Sequence, residues 1–310
     1  MSELCAAIDF GTNTARLLIG RRTPHGLTTL HVERQVVRLG GGFTDSGGLS
    51  AEAQQRGLDC LKRFAEIIKE YAVPAVRASA TSAVRDAVNG PAFVETVFKE
   101  TGITLTVIDG DMEGLLTLKG VIAGLDSVPA NMLVLDVGGG STEFTVVLGG
   151  EPKLIRSLPL GVVRLTEGFK TEQAMRDRIS LVMSAFLQEM SLADICVPPD
   201  CVFIATAGTA TTLAAIQLEM VEYDYRRVNN YLIQRPDITR IYQQLLPLQP
   251  HERLAVKGLE KGREDLIMAG SMIIMSTMDL FVFNEMKVSD YGLLEGLALS
   301  EDFKEGSYAA

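Results

Sequence analysis

An α/β chain made of two similar halves is what the 310 residues predict. Residues 4–8 are a short apolar run ending in Asp9-Phe-Gly-Thr-Asn-Thr, and 16–20 resume an apolar run. Met132-Leu-Val-Leu-Asp136 repeats the pattern, followed by Val137-Gly-Gly-Gly-Ser-Thr and a returning run over 143–148. Short apolar runs bounded by Gly and hydroxyl residues read as strands joined by turns. The two aspartates lie 136 − 9 = 127 residues apart, as an internal duplication would place them. A third run, Cys201-Val-Phe-Ile-Ala-Thr, enters Ala207-Gly-Thr-Ala-Thr-Thr and a helix predicted through Met220.

The intervening segments supply the helices. Residues 28–39 keep strand character and end at Gly40-Gly41-Gly42. Ser50 is placed to cap a helix over 51–71, in which Leu58, Leu61, Ala65 and Ile68 recur at helical spacing. Residues 76–79 read as a strand entering Ala80-Thr-Ser-Ala-Val-Arg-Asp. Pro91 suits the first turn of the next helix. Residues 103–108 alternate as a strand that ends at Asp109-Gly110. The most apolar stretch, 266–283, is interrupted by Asp279 and reads as a buried helix running into a core strand. The break at 120–131 is short, which predicts a tight hinge between the halves.

Composition narrows the function. Apolar residues make up 47% and charged residues 22%, as in an ordinary globular protein, and the length suggests two domains. The net charge, 29 − 39 = −10, argues against an electrostatic grip on DNA, RNA or an anionic membrane. A polyanionic substrate held locally by backbone N–H groups and a few cations stays open. Cys5, Cys60, Cys196 and Cys201 form no C-x-x-C pair, which fits a reducing cytosol. His25, His31 and His251 lack metal-ligand spacing, against a zinc site or a histidine triad. The start, Met1-Ser-Glu-Leu-Cys, shows no signal peptide. A cytoplasmic location is expected.

The chemistry concentrates in three loops: Gly11-Thr12-Asn13-Thr14, Gly138-Gly139-Gly140-Ser141-Thr142 and Gly208-Thr209 with the hydroxyl residues after it. Glycine lets the backbone approach a ligand or adopt positive φ. Successive N–H groups then cradle a phosphate, and hydroxyls add donors. Asp9 and Asp136 stand beside two of these loops, placed either to ligate a hard cation with substrate oxygens or to cap their own turns. Glu143 would point back toward the same loop as Asp136. Glu113 could be a general base or a helix-start charge, and spacing alone does not separate it from Asp111. Arg85 could clamp phosphate oxygens, although taken alone it reads better as a surface ion pair, and Arg38 has the same ambiguity.

Several motifs together resemble the exopolyphosphatase / guanosine pentaphosphate phosphohydrolase (Ppx/GppA) family. They are Asp9-Phe-Gly-Thr-Asn-Thr, Glu33-Arg-Gln-Val-Val-Arg-Leu-Gly-Gly-Gly, Ala80-Thr-Ser-Ala-Val-Arg-Asp-Ala and Asp136-Val-Gly-Gly-Gly-Ser-Thr-Glu. Ser157-Leu-Pro-Leu-Gly-Val-Val-Arg-Leu-Thr-Glu, Gly208-Thr-Ala-Thr-Thr-Leu-Ala and Val288-Ser-Asp-Tyr-Gly-Leu-Leu-Glu-Gly-Leu complete the set in family order. The resemblance implies two actin-like domains of the acetokinase–Hsp70–actin, ribonuclease H-like type, with a cleft between them. It places domain I at 1–122 plus 292–310 and domain II at 123–291, in the short two-domain form. It implies hydrolysis of the terminal phosphoanhydride of polyphosphate or guanosine pentaphosphate, with Mg²⁺ or Mn²⁺. A sensor of guanosine polyphosphates and a kinase of the same fold are the alternatives, and a homodimer is the implied assembly. By the same resemblance Glu113 is the catalytic base, Arg85 the phosphate clamp, and Asp136, Glu143 and Asp9 the metal region. The chain departs from the family where Leu115 and Leu294 stand in place of arginines.

Overall fold

The computed structural model describes residues 3–24, 26–44 and 46–300. Met1, Ser2, His25 and the segment 301–310, used in the sequence reading, lie outside them. The described residues group into two compact units, one ending at Ala123 and resuming at Gly292, the other spanning Gly124–Tyr291.

In the first unit β1 (Glu3–Phe10), β2 (Thr14–Thr23) and β3 (Gly26–Val36) form an antiparallel meander. Then come α1 (Ala51–Glu70), β4 (Val76–Ala80), α2 (Ser82–Arg85), α3 (Gly90–Thr101), β5 (Leu105–Val107) and α4 (Gly110–Gly124). β4 joins β1 in parallel and β5 joins β4, giving the order β3-β2-β1-β4-β5. Strand alternation puts Ile8, Phe10 and Leu17 in one apolar cluster with Leu61, Phe64 and Phe93. Ser50 caps α1, its Oγ accepting from Ala53 N at 3.2 Å. The buried stripe of α1 runs through Ala53, Gly57, Cys60, Leu61, Phe64, Ile67 and Ile68, so Leu58 and Ala65 flank it. Gly57 sets that rotation, because a Cβ there would lie 2.8 Å from the Phe10 ring.

The second unit repeats the plan. Its elements are β6 (Met132–Val137), β7 (Thr142–Leu148), β8 (Glu151–Leu158), α5 (Val162–Gly168), α6 (Glu172–Leu192), β9 (Val202–Thr206), α7 (Ala207–Gln217) and α8 (Tyr225–Val228). β10 (Leu232–Gln234), α9 (Arg235–Leu245), α10 (Pro250–Arg253), α11 (Ile267–Phe281) and β11 (Glu285–Val288) complete it. The order β8-β7-β6-β9-β11 matches the first sheet strand for strand, with β10 added antiparallel at the edge. Asp9 pairs with Ser79 across β1 and β4, and Asp136 pairs with Thr206 across β6 and β9. The chain then re-enters the first unit as α12 (Leu293–Leu299), whose Leu293, Leu294 and Leu297 cover Cys5, Ala7 and Leu18 on the sheet's other face.

Three predicted boundaries move. The stretch 266–283 is helix throughout its core. Left-handed Val282, with φ of 60°, stops α11, and strand pairing starts only at Glu285. α7 ends at Gln217 rather than Met220, since Glu219 also turns left-handed. β5 pairs over three residues, not six. Among the described residues no helix is long and apolar enough to cross a membrane.

Candidate active site

The first loop is a tight turn at the end of β1. Gly11 N donates to Thr14 O at 3.1 Å, and a Cβ on Gly11 would meet that same oxygen at 3.1 Å. Val37 N and Arg38 N both donate to Asn13 O, at 3.0 and 2.9 Å, and Gly40 N donates to Thr12 O at 2.9 Å. The second loop has the same construction. Gly138 N donates to Ser141 O at 3.0 Å, and a Gly138 Cβ would lie 2.9 Å from that oxygen. Val162 N donates to Gly138 O at 3.0 Å and Val163 N to Gly139 O at 2.9 Å. The bonds that close both turns consume loop carbonyls. None of them uses the N–H groups of Thr12, Asn13, Gly139 or Gly140, so these remain suited to an anion. At Gly11, Gly138 and Gly208 close approach, not positive φ, is what requires glycine, and neither Gly139 nor Gly140 is left-handed.

The third loop is a helix start instead of an open turn. Gly208 and Thr209 lie in the first turn of α7, preceded by left-handed Ala207 with φ of 63°. Thr211 Oγ1 folds back onto Ala207 O at 3.1 Å. Thr209 is buried against α11, where a Cβ on Gly270 would strike its Oγ1 at 2.1 Å. The Arg263 guanidinium lies against Gly208, its Nη1 only 1.2 Å from where a Cβ would sit. Tyr223 donates its hydroxyl to Asp290. Desolvation of the hydroxyl, with the Asp290 carboxylate beside it, raises the phenol above its ordinary range, although Tyr223 is 48% exposed.

α2 links the first loop to the candidate base. At its start Ser82 Oγ hydrogen-bonds Thr12 Oγ1 at 2.9 Å. At its end Arg85 Nη1 donates to Ile108 O at 3.1 Å and to Glu113 Oε2 at 3.3 Å. Arg85 Nε lies 3.5 Å from Asp86. A guanidinium has five N–H donors, so the pair on Nη2 stays available for phosphoryl oxygens. Asp109 caps α4, its Oδ1 accepting from Met112 N at 2.8 Å, and so aims the helix. That cap separates two residues that spacing left equivalent: Asp111 is exposed, whereas Glu113 is buried beside Arg85.

The two aspartates have different partners. Asp9 stands directly opposite Arg16, which donates Nε and Nη2 to its Oδ2 at 3.3 and 3.2 Å. Burial holds the Asp9 carboxyl above the ordinary carboxylate range, and Arg16 pulls it partly back. Asp136 stands opposite Glu143, which is buried and accepts from Ser157 Oγ at 2.7 Å. Arg16 and Glu143 are themselves 143 − 16 = 127 residues apart, so the duplicated position has changed sign. Hairpin arithmetic contained both pairings: a four-residue turn after Phe10 or Val137 puts 9 against 16 and 136 against 143. Arg263, Tyr223 and Asp290 had no such local signal, because the fold gathers them from distant segments. Of the two departures from the family pattern, Leu294 is a core residue of α12 and Leu115 is exposed on α4.

The chain is similar to known proteins along nearly its whole length. The model of the Ppx/GppA phosphatase family matches residues 18–305. Exopolyphosphatase 2 of Mycobacterium tuberculosis is 31% identical over 313 residues, covering 95% of this chain and 97% of that protein. A guanosine-5'-triphosphate,3'-diphosphate pyrophosphatase of Aliivibrio fischeri is 29% identical over 297 residues, covering 96% of this chain. The chain spans 59% of that relative's length, under two thirds of it. The crystal structure of an exopolyphosphatase from Cytophaga hutchinsonii superposes with a TM-score of 0.85 at 32% identity, over 95% of this chain and 96% of that one.

Proposed function

The chain belongs to the Ppx/GppA phosphatase family, and from that premise we propose that it hydrolyses the terminal phosphoanhydride of a phosphate chain, releasing orthophosphate. Inorganic polyphosphate is one substrate reading, supported by the relative named exopolyphosphatase that the chain matches along nearly its whole length. Guanosine pentaphosphate is the other, supported by the relative named for that nucleotide. Both present the same terminal bond.

The observation that carries the proposal is the α2 bridge, which holds Arg85 against buried Glu113 at one end and Ser82 against the first loop at the other. In the reaction, Glu113 orients a water and takes its proton as the water oxygen bonds to the terminal phosphorus. The bridging P–O bond breaks, and the shortened chain leaves with its electron pair. Arg85 and the loop N–H groups hold the phosphoryl oxygens, where charge spreads in the transition state.

A divalent cation fits the second unit. Two carboxylates directly opposed on neighbouring strands repel each other, and Asp136 with Glu143 offers the oxygen donors that Mg²⁺ or Mn²⁺ prefers. Among the described residues no cluster of three His, Cys, Asp or Glu could hold a metal alone. Water and substrate oxygens would complete the shell, as is usual for Mg²⁺. Bound there, the ion would neutralise charge on phosphoryl oxygens. Asp9 is the weaker ligand candidate, because Arg16 already occupies its Oδ2.

The test is phosphate release by purified protein from long polyphosphate, short polyphosphate and guanosine pentaphosphate, each with Mg²⁺ and with a chelator. Mg²⁺-dependent release from at least one supports the proposal. No release from any of the three contradicts it, and ATP-dependent consumption of an acceptor would then point to a kinase.

A further inference from the structure

The motif Ala80-Thr-Ser-Ala-Val-Arg-Asp-Ala supplies Arg85 to the site and leaves the next residue, Asp86, without a part in the reaction. Side chains one residue apart on a helix do not face each other. Here they meet, at the place where the single turn of α2 ends. Asp86 is the C-cap, its N–H donating to Ser82 O at 2.9 Å, and its carboxylate comes 3.5 Å from Arg85 Nε.

The contacts on Arg85 are unevenly distributed over its nitrogens. Ile108 O and Glu113 Oε2 both accept from Nη1, at 3.1 and 3.3 Å. Two bonds on one nitrogen act as a pivot and leave the guanidinium plane able to swing about it. The side chain is 24% exposed, so it has an open side toward which to swing. Asp86 sits against a different nitrogen, Nε. A rigid planar fork engaged at two nitrogens has its direction fixed. That direction decides where the Nη2 donors point, and those are the donors the proposed reaction uses. Asp86, Arg85, Ile108 and Glu113 all lie within the first unit.

We propose that Asp86 is a positioning residue, which aims the Arg85 guanidinium so that Nη2 meets the phosphoryl oxygens. The proposal rests on the phosphate-chain reading of the function and deepens it. In this role Asp86 acts through Arg85 and leaves the proton transfer to Glu113. Charge alone predicts the opposite sign. A carboxylate repels a polyanion bound beside it, so by that effect removing Asp86 would strengthen binding. An exposed ion pair also contributes little to the fold, which separates the aiming role from a role in stability.

The experiment is a double-mutant cycle on kcat/KM for polyphosphate, with Asp86→Ala placed in the native chain and in Arg85→Gln, and thermal unfolding measured for each. In the native chain Asp86→Ala is expected to lower kcat/KM about tenfold, the loss of one well-directed charge-assisted hydrogen bond, with a nearly unchanged unfolding temperature. In Arg85→Gln the same change should lower it less than about twofold, because no guanidinium remains to aim. Asp86→Glu keeps the charge within reach of Arg85 and should recover most of the loss. A purely structural role would give equal losses in both backgrounds. Equal losses, no recovery by Asp86→Glu, or an Asp86→Ala that is unchanged or faster each overturn the proposal while the hydrolase reading stands. If wild type releases no phosphate, the hydrolase reading fails, and the same cycle is read on equilibrium binding of polyphosphate. Binding weakened by Asp86→Ala only where Arg85 is present supports the positioning role, and any other pattern overturns it.

Discussion

Asp136 and Asp9 occupy duplicated positions, yet they face different neighbours. The carboxylate opposite Asp136 and the guanidinium opposite Asp9 predict an asymmetric response to mutation. Asp136→Asn and Glu143→Gln should each raise the Mg²⁺ concentration for half-maximal phosphate release by about tenfold or more. Asp9→Asn should shift it by less than about twofold, and a metal titration of the three variants reads the difference. The thiols give a separate check. Burial pushes Cys60 up to about 12 and Cys201 to about 11, and raises Cys5 as well, whereas Cys196 is exposed. A thiol titrating far above the solution pH forms almost no thiolate. At pH 8 an aromatic disulfide reagent should therefore modify Cys196 alone in the native protein and reach all four thiols after unfolding. Residue types and spacing make Glu113, Arg85 and the carboxylates candidates, and the family resemblance gives Glu113 and Arg85 their expected roles. Spacing alone does not separate Glu113 from Asp111, and the resemblance makes that choice; the Asp109 cap and the side of α4 that meets Arg85 leave Glu113 buried and Asp111 exposed.

Where elements touch, glycines fix the spacing. α4 and α12 cross with Gly120 and Gly296 in contact: a Cβ on Gly120 would lie 1.9 Å from Gly292 O, and one on Gly296 would lie 1.9 Å from Leu116 O. Neither oxygen is the far end of a flexible side chain, so the helices must separate. Gly120→Ala should destabilise the fold by about 3 kcal/mol, measurable by denaturant unfolding. Gly161 does the same for the second loop, since its Cβ would stand 2.2 Å from Gly139 O. Gly161→Ala should weaken substrate binding as well as stability, because the strain falls on the cradle itself. Strands and long helices were legible because hydrophobic period and caps act locally, as Ser50 and Pro91 show. The stops at Val282 and Glu219 were not, because a non-glycine residue is held left-handed there by surrounding contacts and not by its own preference.

Across the whole molecule, the duplication is the main result of both sequence and structure. A spacing of 127 residues between two aspartates pointed to two units, and two sheets of the same strand order bear that out. The extra edge strand β10 and the helical start at Gly208 were outside the reach of pattern reading, because both depend on contacts with α11 and β11. The Arg85–Glu113 pair lies within the first unit. In the proposed reaction proton transfer falls to one residue, Glu113. The most direct test is single-turnover phosphate release from polyphosphate by wild type and Glu113→Gln, side by side at saturating Mg²⁺, with folding of the variant checked by its unfolding temperature. Loss of about 10²–10⁴ in rate, at similar substrate affinity, is the predicted result. Near-normal release by a folded Glu113→Gln would contradict the account.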